Sequence, residues 1–213
     1  MSNDKQLAGE KACEYIKDGT VVGLGTGTTV YYTLKKIGEL GLDIIGVCTS
    51  VETEERCKEF GIKTSTIDEH DPVIAIDGAD EVDPNKYLIK GGGGALTREK
   101  IIDYRAKEFV VIVGEKKIVQ QLGETFFLSV EAIPFAWKRT QRELKERFGF
   151  ERIERREAKT DNGNYILNCH GRIQDPVAWE KEINTVPGVV ENGLFTRDVK
   201  TVIVGSDAGV REI

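Results

Sequence analysis

Short apolar runs alternate along this chain with stretches of helical spacing, and that alternation carries most of the fold. Thr20, Val21, Val22, Gly23 and Leu24 form one such run, too short for a helix and long enough for a buried strand. Ahead of it, Leu7, Ala8, Ala12, Tyr15 and Ile16 recur at helical intervals over residues 5–18, and Gly19 ends that helix. Behind it, Leu34, Ile37 and Leu40 share one face of a helix over 30–40. Residues 44–48, 62–67, 73–76 and 109–113 read as further strands. Thr49 with Glu52 reads as a capping box for a helix ending at Phe60-Gly61, and 97–107 reads as another helix. Strands alternating with helices predict a mostly parallel sheet covered on both faces.

From about residue 123 the pattern changes. A strand over 126–133 is followed by a helix from Pro134 to 148, with Trp137, Leu144 and Phe148 facing inward. Strands over 151–159 and 165–169 flank Asp161-Asn162-Gly163-Asn164, and Asn-Gly is a strong hairpin signal. A short helix after Asp175-Pro176 and a strand over 189–195 complete a β-α-β-β-α-β order, the split βαβ arrangement. The last strand, 201–205, returns to the main sheet. The fold class is therefore α/β: a Rossmann-like three-layer domain with a mostly parallel sheet (1–122 and 201–213). A smaller ferredoxin-like α+β domain (123–200) accompanies it as a lid or oligomerisation element.

Composition narrows the function classes. With 213 residues, 39% hydrophobic and 31% charged, the chain has the make-up of a soluble globular protein. A net charge of −6 argues against a nucleic-acid binder, and the charge-dense stretch 138–157 alternates in sign as a solvated face does. No apolar run reaches membrane-spanning length, and MSNDKQLAGEK lacks the apolar core of a signal peptide, so a cytoplasmic location is expected. Cys13, Cys48, Cys57 and Cys169 form no Cys-x-x-Cys pair and read as reduced thiols, mostly buried. His70 and His170 have no partner spacing for a metal site.

Chemistry-bearing residues gather at the ends of elements, where open α/β sheets bind ligands. The strand over 73–76 runs into a tight Asp77-Gly78-Ala79-Asp80 turn. An apolar patch, 87–89, leads to Lys90 and to Gly91, Gly92, Gly93 and Gly94, and Leu96-Thr97-Arg98-Glu99-Lys100 opens a helix. The first strand enters Gly25-Thr26-Gly27-Thr28-Thr29, whose amides and hydroxyls precede a helix and suit a phosphate. It is not a Walker loop, which needs a lysine. It is not a dinucleotide fingerprint either, because Thr28 stands where the last glycine belongs and no acidic residue closes the next strand.

These three motifs, with Pro134-Phe135-Ala136 and the stretch 187–195 (PGVVENGLF), resemble ribose-5-phosphate isomerases of type A over nearly the whole chain. Thr28 stands where that family more often has serine, and Gly94 where alanine is common. The resemblance implies reversible conversion of D-ribose 5-phosphate to D-ribulose 5-phosphate in the non-oxidative pentose phosphate pathway. It also implies no cofactor or metal, and a homodimer or homotetramer. Glu99 matches the family's proton-transferring glutamate. Thr26, Gly27, Thr28, Thr29, Asp77, Gly78, Ala79, Asp80, Lys90, Gly91, Gly92, Gly93 and Lys117 match residues lining its substrate site.

The residue types suit that reaction. One carboxylate can carry a proton between C2 and C1, and Glu99 stands in the first turn of a helix between Arg98 and Lys100, a setting that favours its ionised form. Asp77 suits ring opening and Asp80 the binding of sugar hydroxyls. Lys90 offers positive charge to an enediolate oxygen, with glycine amides beside it. Lys117, leaving the strand over 109–113, suits the phosphate. A sugar-phosphate deaminase or coenzyme A transferase on the same fold, and a non-catalytic sugar-phosphate sensor, are the competing readings. The deaminase would call for a histidine near the acids, and His70 lies outside every motif; the sensor could lose the shuttle carboxylate, and retention of Glu99 and Lys90 argues against it.

Overall fold

A computed structural model describes residues 4–213. In chain order its elements begin α1 (Asp4–Lys11), β1 (Val21–Leu24), α2 (Thr28–Leu40), β2 (Ile45–Cys48), α3 (Val51–Glu59), β3 (Lys63–Ser65) and β4 (Ile74–Gly78). Next come β5 (Glu81–Val82), β6 (Leu88–Ile89), α4 (Leu96–Arg105), β7 (Glu108–Gly114), β8 (Leu128–Ala132), α5 (Trp137–Phe148) and β9 (Arg152–Lys159). The chain closes with β10 (Tyr165–His170), α6 (Pro176–Ile183), β11 (Val189–Asn192), β12 (Leu194–Phe195), β13 (Thr201–Ser206) and β14 (Gly209–Glu212). There are two compact units. The first holds the described chain up to Gly78, Arg98–Lys117 and Asp198–Ile213; the second holds Ala79–Thr97 and Ile118–Arg197.

The first unit is built on a seven-stranded sheet in the order β14-β13-β7-β4-β1-β2-β3. Every pairing is parallel except that of β13 with β14. Its strands are the apolar runs of the sequence because a parallel sheet is buried on both faces. Successive side chains point to opposite faces. Val22 and Leu24 pack with Ala8 of α1 and with Leu34 and Ile37 of α2. On the opposite face Gly23 leaves the space that Ile102 of α4 fills. This is the three-layer arrangement expected.

Some expected boundaries move. The first helix stops at Lys11 and tightens into a 3-10 turn over Ala12–Tyr15. The helix over 30–40 begins earlier, at Thr28. Ser50, not Thr49, caps α3, its Oγ accepting from the Thr53 amide at 3.1 Å. The third strand shortens to Lys63–Ser65, and Asp77 lies inside β4, paired with Val111, not in a turn. The antiparallel edge strand β14 carries no apolar run and escaped the sequence reading.

The second unit contains a four-stranded antiparallel sheet, β11-β8-β10-β9, which is the fourth-first-third-second order of the split βαβ arrangement. Leu144 and Phe148 of α5 and Ile183 of α6 pack on Val130 and Leu167 of that sheet. The helix expected from Pro134 starts at Trp137, because Ala136 is left-handed (φ 56°). Trp137 itself is only half-buried. The strand over 189–195 splits at Gly193: β11 pairs with β8, whereas β12 joins β6 and β5 in a three-stranded sheet. A side chain at Gly193 would meet the Lys90 carbonyl, so the close backbone passage needs glycine.

All four cysteines are free thiols, three of them buried and Cys48 half-buried. Burial pushes the Cys13 thiol up to about 12. Among the described residues no helix is long and apolar enough to cross a membrane.

Candidate active site

In the first unit the connections run outward from β1 through β2 to β3, and then resume on the other side of β1 with β4. The C-terminal ends of β1 and β4 therefore flank a topological switch point, where such sheets bind ligands. The Gly25-Thr26-Gly27 loop leaves β1 there, and β4 brings Asp77 to the same edge. The two are joined directly. Asp77 Oδ1 accepts from the amides of Thr26 (3.1 Å) and Gly78 (2.7 Å), and the Gly25 amide donates to the carbonyl of Ile76 (3.0 Å). Asp77 is wholly buried.

Gly27 takes a φ of 117° and offers α2 no side-chain cap, which leaves first-turn amides of α2 pointing into the loop. Thr28 is exposed, and its hydroxyl accepts from Lys5 Nζ at 2.8 Å. Sequence reading treated Lys5 only as part of an apolar-spaced helix; its place opposite the loop depends on the packing of α1 on α2. The Thr26 hydroxyl is engaged elsewhere, with Thr49 (2.8 Å), Ser50 (2.7 Å) and Thr53 (3.1 Å), so this side chain braces the loop and its amide holds Asp77. Lys117 is half-buried in the 3-10 turn Glu115–Lys117 that follows β7, the strand beside β4. Glu99 stands in the first turn of α4 with only 4% of its surface exposed, followed by the buried Lys100. A cavity of about 490 Å³ opens by the ends of β2 and β3, walled by Thr64, Ser65, Thr66, Arg98 and Ile101 among others; neither Asp77 nor the 25–29 loop lines it.

In the second unit Asp80 and the glycine run meet. The Gly92 amide donates to Asp80 Oδ2 at 2.7 Å, and a β-carbon on Gly92 would run into that carboxylate. The Asp80 amide donates to the Ile89 carbonyl (2.7 Å). Gly91 and Gly94 are left-handed (φ 90° and 91°), joined by a Gly94 amide to Gly91 carbonyl bond of 2.9 Å, so the run is an ordered turn. Lys90 is almost fully buried, with its ammonium 5.3 Å from the centre of the Phe195 ring. Arg156 on β9 feels the charge of Asp80, and burial pulls its guanidinium below its ordinary range.

Two buried glutamates of this unit had no role in the sequence reading. Glu81 takes the amides of Gly123 (2.6 Å), Thr125 (2.5 Å) and Phe126 (2.7 Å) and the Thr125 hydroxyl (2.7 Å). Glu131 takes donors from Thr97, Thr160, Asn162 and Asn164. Their donors lie far along the chain, so no local spacing announces them.

Residues 45–209 match the family model described as ribose 5-phosphate isomerase A (phosphoriboisomerase A). A ribose-5-phosphate isomerase A of Listeria innocua is 45% identical, the match covering 100% of this chain and 99% of that protein. The solved structure of the Methanocaldococcus jannaschii enzyme has a TM-score of 0.93 at 44% identity, over 98% of this chain and 97% of that one. A D-ribose-5-phosphate isomerase solved in complex with phospho-erythronic acid also has a TM-score of 0.93, at 43% identity, over 98% and 96% of the two chains.

Proposed function

Because the chain belongs to the ribose 5-phosphate isomerase A family, we propose that Glu99 is the group that moves the proton in its reaction. The activity is the interconversion of D-ribose 5-phosphate and D-ribulose 5-phosphate, a step of the pentose phosphate pathway. The observation that carries the assignment is the position of Glu99: a buried carboxylate in the first turn of α4, directly after the glycine run.

The chemistry balances without an added oxidant. Asp77 exchanges a proton with the ring oxygen as the sugar opens. Glu99 removes the C2 proton, the C2–H electron pair forms the C1–C2 double bond, and the C1 carbonyl oxygen takes up negative charge. Lys90 and the amides of Gly91, Gly92 and Gly93 stabilise that enediolate. Glu99 returns its proton to C1 while the hydroxyl proton on O2 is lost and O1 gains one, which leaves the ketose. Asp80 binds sugar hydroxyls. Thr28, Thr29, the amides around Gly27 and Lys117 bind the phosphate, and Lys5 joins them through Thr28. The phospho-erythronic acid bound by the relative supports the reading, since a phosphorylated sugar acid carries the planar, charged end of an enediolate. The reading extends to a cytoplasmic homodimer or homotetramer with the second unit as lid or oligomerisation element, as the family resemblance implies.

The test is conversion of D-ribose 5-phosphate by the purified protein in EDTA, with Glu99→Gln beside it. Turnover should survive chelation and fall at least ~10³-fold in the variant, the scale of acid–base catalysis. Phosphosugar affinity should stay within about tenfold, ~1.4 kcal/mol. Full turnover in the variant would remove Glu99 from its role. A wild-type protein that binds the phosphosugar without turning it over would leave a sensor.

A further inference from the structure

The buried carboxylate of Glu131 has no part in the reaction just described, yet its contacts lead to the residue that performs it. Glu131 and Ser129 are two apart on β8 and so share a face, and both are wholly buried. A carboxylate taken out of water must be matched by donors. Here they are four: Oε1 accepts from the hydroxyl of Thr160 (2.8 Å) and the side-chain Nδ2 groups of Asn162 (3.2 Å) and Asn164 (2.8 Å), and Oε2 accepts from the hydroxyl of Thr97. Three of the four come from the β9–β10 hairpin, which fixes the carboxylate in place. The fourth, Thr97, is the second residue of α4, and Glu99 is its fourth.

Ser129 does the same for the other end of the glycine run. Its hydroxyl donates to the Gly91 carbonyl (3.1 Å), and its carbonyl accepts from the Gly193 amide (2.8 Å), while the Gly193 carbonyl accepts from the Lys90 amide (2.8 Å). One polar face of β8 thus holds the segment from Lys90 to Thr97 at both ends. We infer that Glu131 is a positioning residue for proton transfer, setting through the Thr97 hydroxyl where the first turn of α4 presents Glu99. This rests on Glu99 being the proton-transferring group. A glutamate suits this place because all four contacts are donors. In Glu131→Gln, the three donors at Oε1 direct the amide nitrogen toward Thr97, where only that one contact is reversed.

The test compares Thr97→Val, Thr97→Ser and Glu131→Gln with Glu99→Gln, reading kcat, KM for D-ribose 5-phosphate and Tm. Thr97→Val should lose about 10- to 100-fold in kcat, the scale of a small misplacement of a reacting group. Its KM should hold within about threefold, since phosphate binding is untouched. Thr97→Ser should restore kcat. Glu131→Gln, whose amide can donate to the Thr97 hydroxyl and keep the tether, should lose less than Thr97→Val, and every Tm should stay within about 5 °C. A Thr97→Val enzyme with wild-type kcat overturns the inference while a dead Glu99→Gln leaves the base assignment standing. Loss of kcat together with Tm, without rescue by serine, also overturns it, by showing a merely structural contact. An active Glu99→Gln removes the base and the inference with it.

Discussion

The carboxylate of Asp77 occupies the space that a β-carbon on Gly25 would need. The overlap is with the side chain of a wholly buried residue whose Oδ1 is already tied to two amides, so it cannot swing aside cheaply. Gly25→Ala should therefore displace Asp77 and cost about 10²-fold or more in kcat. Steady-state kinetics with a thermal melt would check this, and a variant with wild-type kcat would show that Asp77 has freedom the packing denies it.

Lys5 and Lys117 should behave differently from Glu99. Both are assigned to the phosphate, a group that does not change charge during the reaction, so their contribution is the same in ground and transition states. Lys117→Ala and Lys5→Ala should each raise KM by roughly tenfold with kcat changed less than about threefold. Inhibition by inorganic phosphate should weaken in parallel. A fall in kcat equal to the rise in KM in either variant would place that lysine at the reacting carbons.

The sequence showed the parts whose physics is local. β1, β4 and β7 were readable because both faces of a parallel sheet are buried, which turns each strand into an apolar run. The hairpin around Asn162-Gly163 was readable from its turn chemistry. β5 and β6 hold two residues each, too few to show a period, and β14 is a polar edge. The cap of α3 lies at Ser50, one residue past the expected Thr49, because two adjacent hydroxyl residues carry the same capping signal and only the backbone decides which one starts the helix. The site motifs were visible as motifs. What joins them was not: Lys5 with Thr28, Asp80 with Gly92, and Glu131 with Thr97 are tertiary pairings without a sequence period.

Glu81 should prove one of the most sensitive positions for stability. Its wholly buried side chain accepts from the amides of Gly123, Thr125 and Phe126, on a stretch that is half-buried to exposed. Glu81→Ala would take the acceptor from three backbone donors; a buried donor without a partner costs roughly 1–3 kcal/mol, and water reaches the exposed Thr125. A loss of roughly 1–3 kcal/mol in urea unfolding is expected. Glu81→Gln should lose less, because one acceptor oxygen remains. Equal stability of the alanine variant and wild type would mean that water or a rearranged loop satisfies those amides.

Asp83 supplies a prediction in which pH sets the sign. It closes the turn between β5 and β6, its Oδ1 accepting from the amides of Asn85 (2.9 Å) and Tyr87 (2.8 Å). Burial raises its carboxyl above the usual range, and those two amides oppose the shift without cancelling it. An acid whose folded pKa exceeds its unfolded value binds its proton more readily in the native state. Native stability therefore falls as pH rises from the unfolded value, near 3.8, through the raised folded value, and stays lower above it. Asparagine at this position keeps the Oδ1 acceptor and cannot ionise. Asp83→Asn should accordingly gain stability relative to wild type at pH 7, and the gain should shrink as pH falls toward 4. Urea unfolding of both proteins at pH 4, 5.5 and 7 measures it. A gain that grew on acidification would mean that the amides of Asn85 and Tyr87 outweigh burial and hold the carboxylate charged.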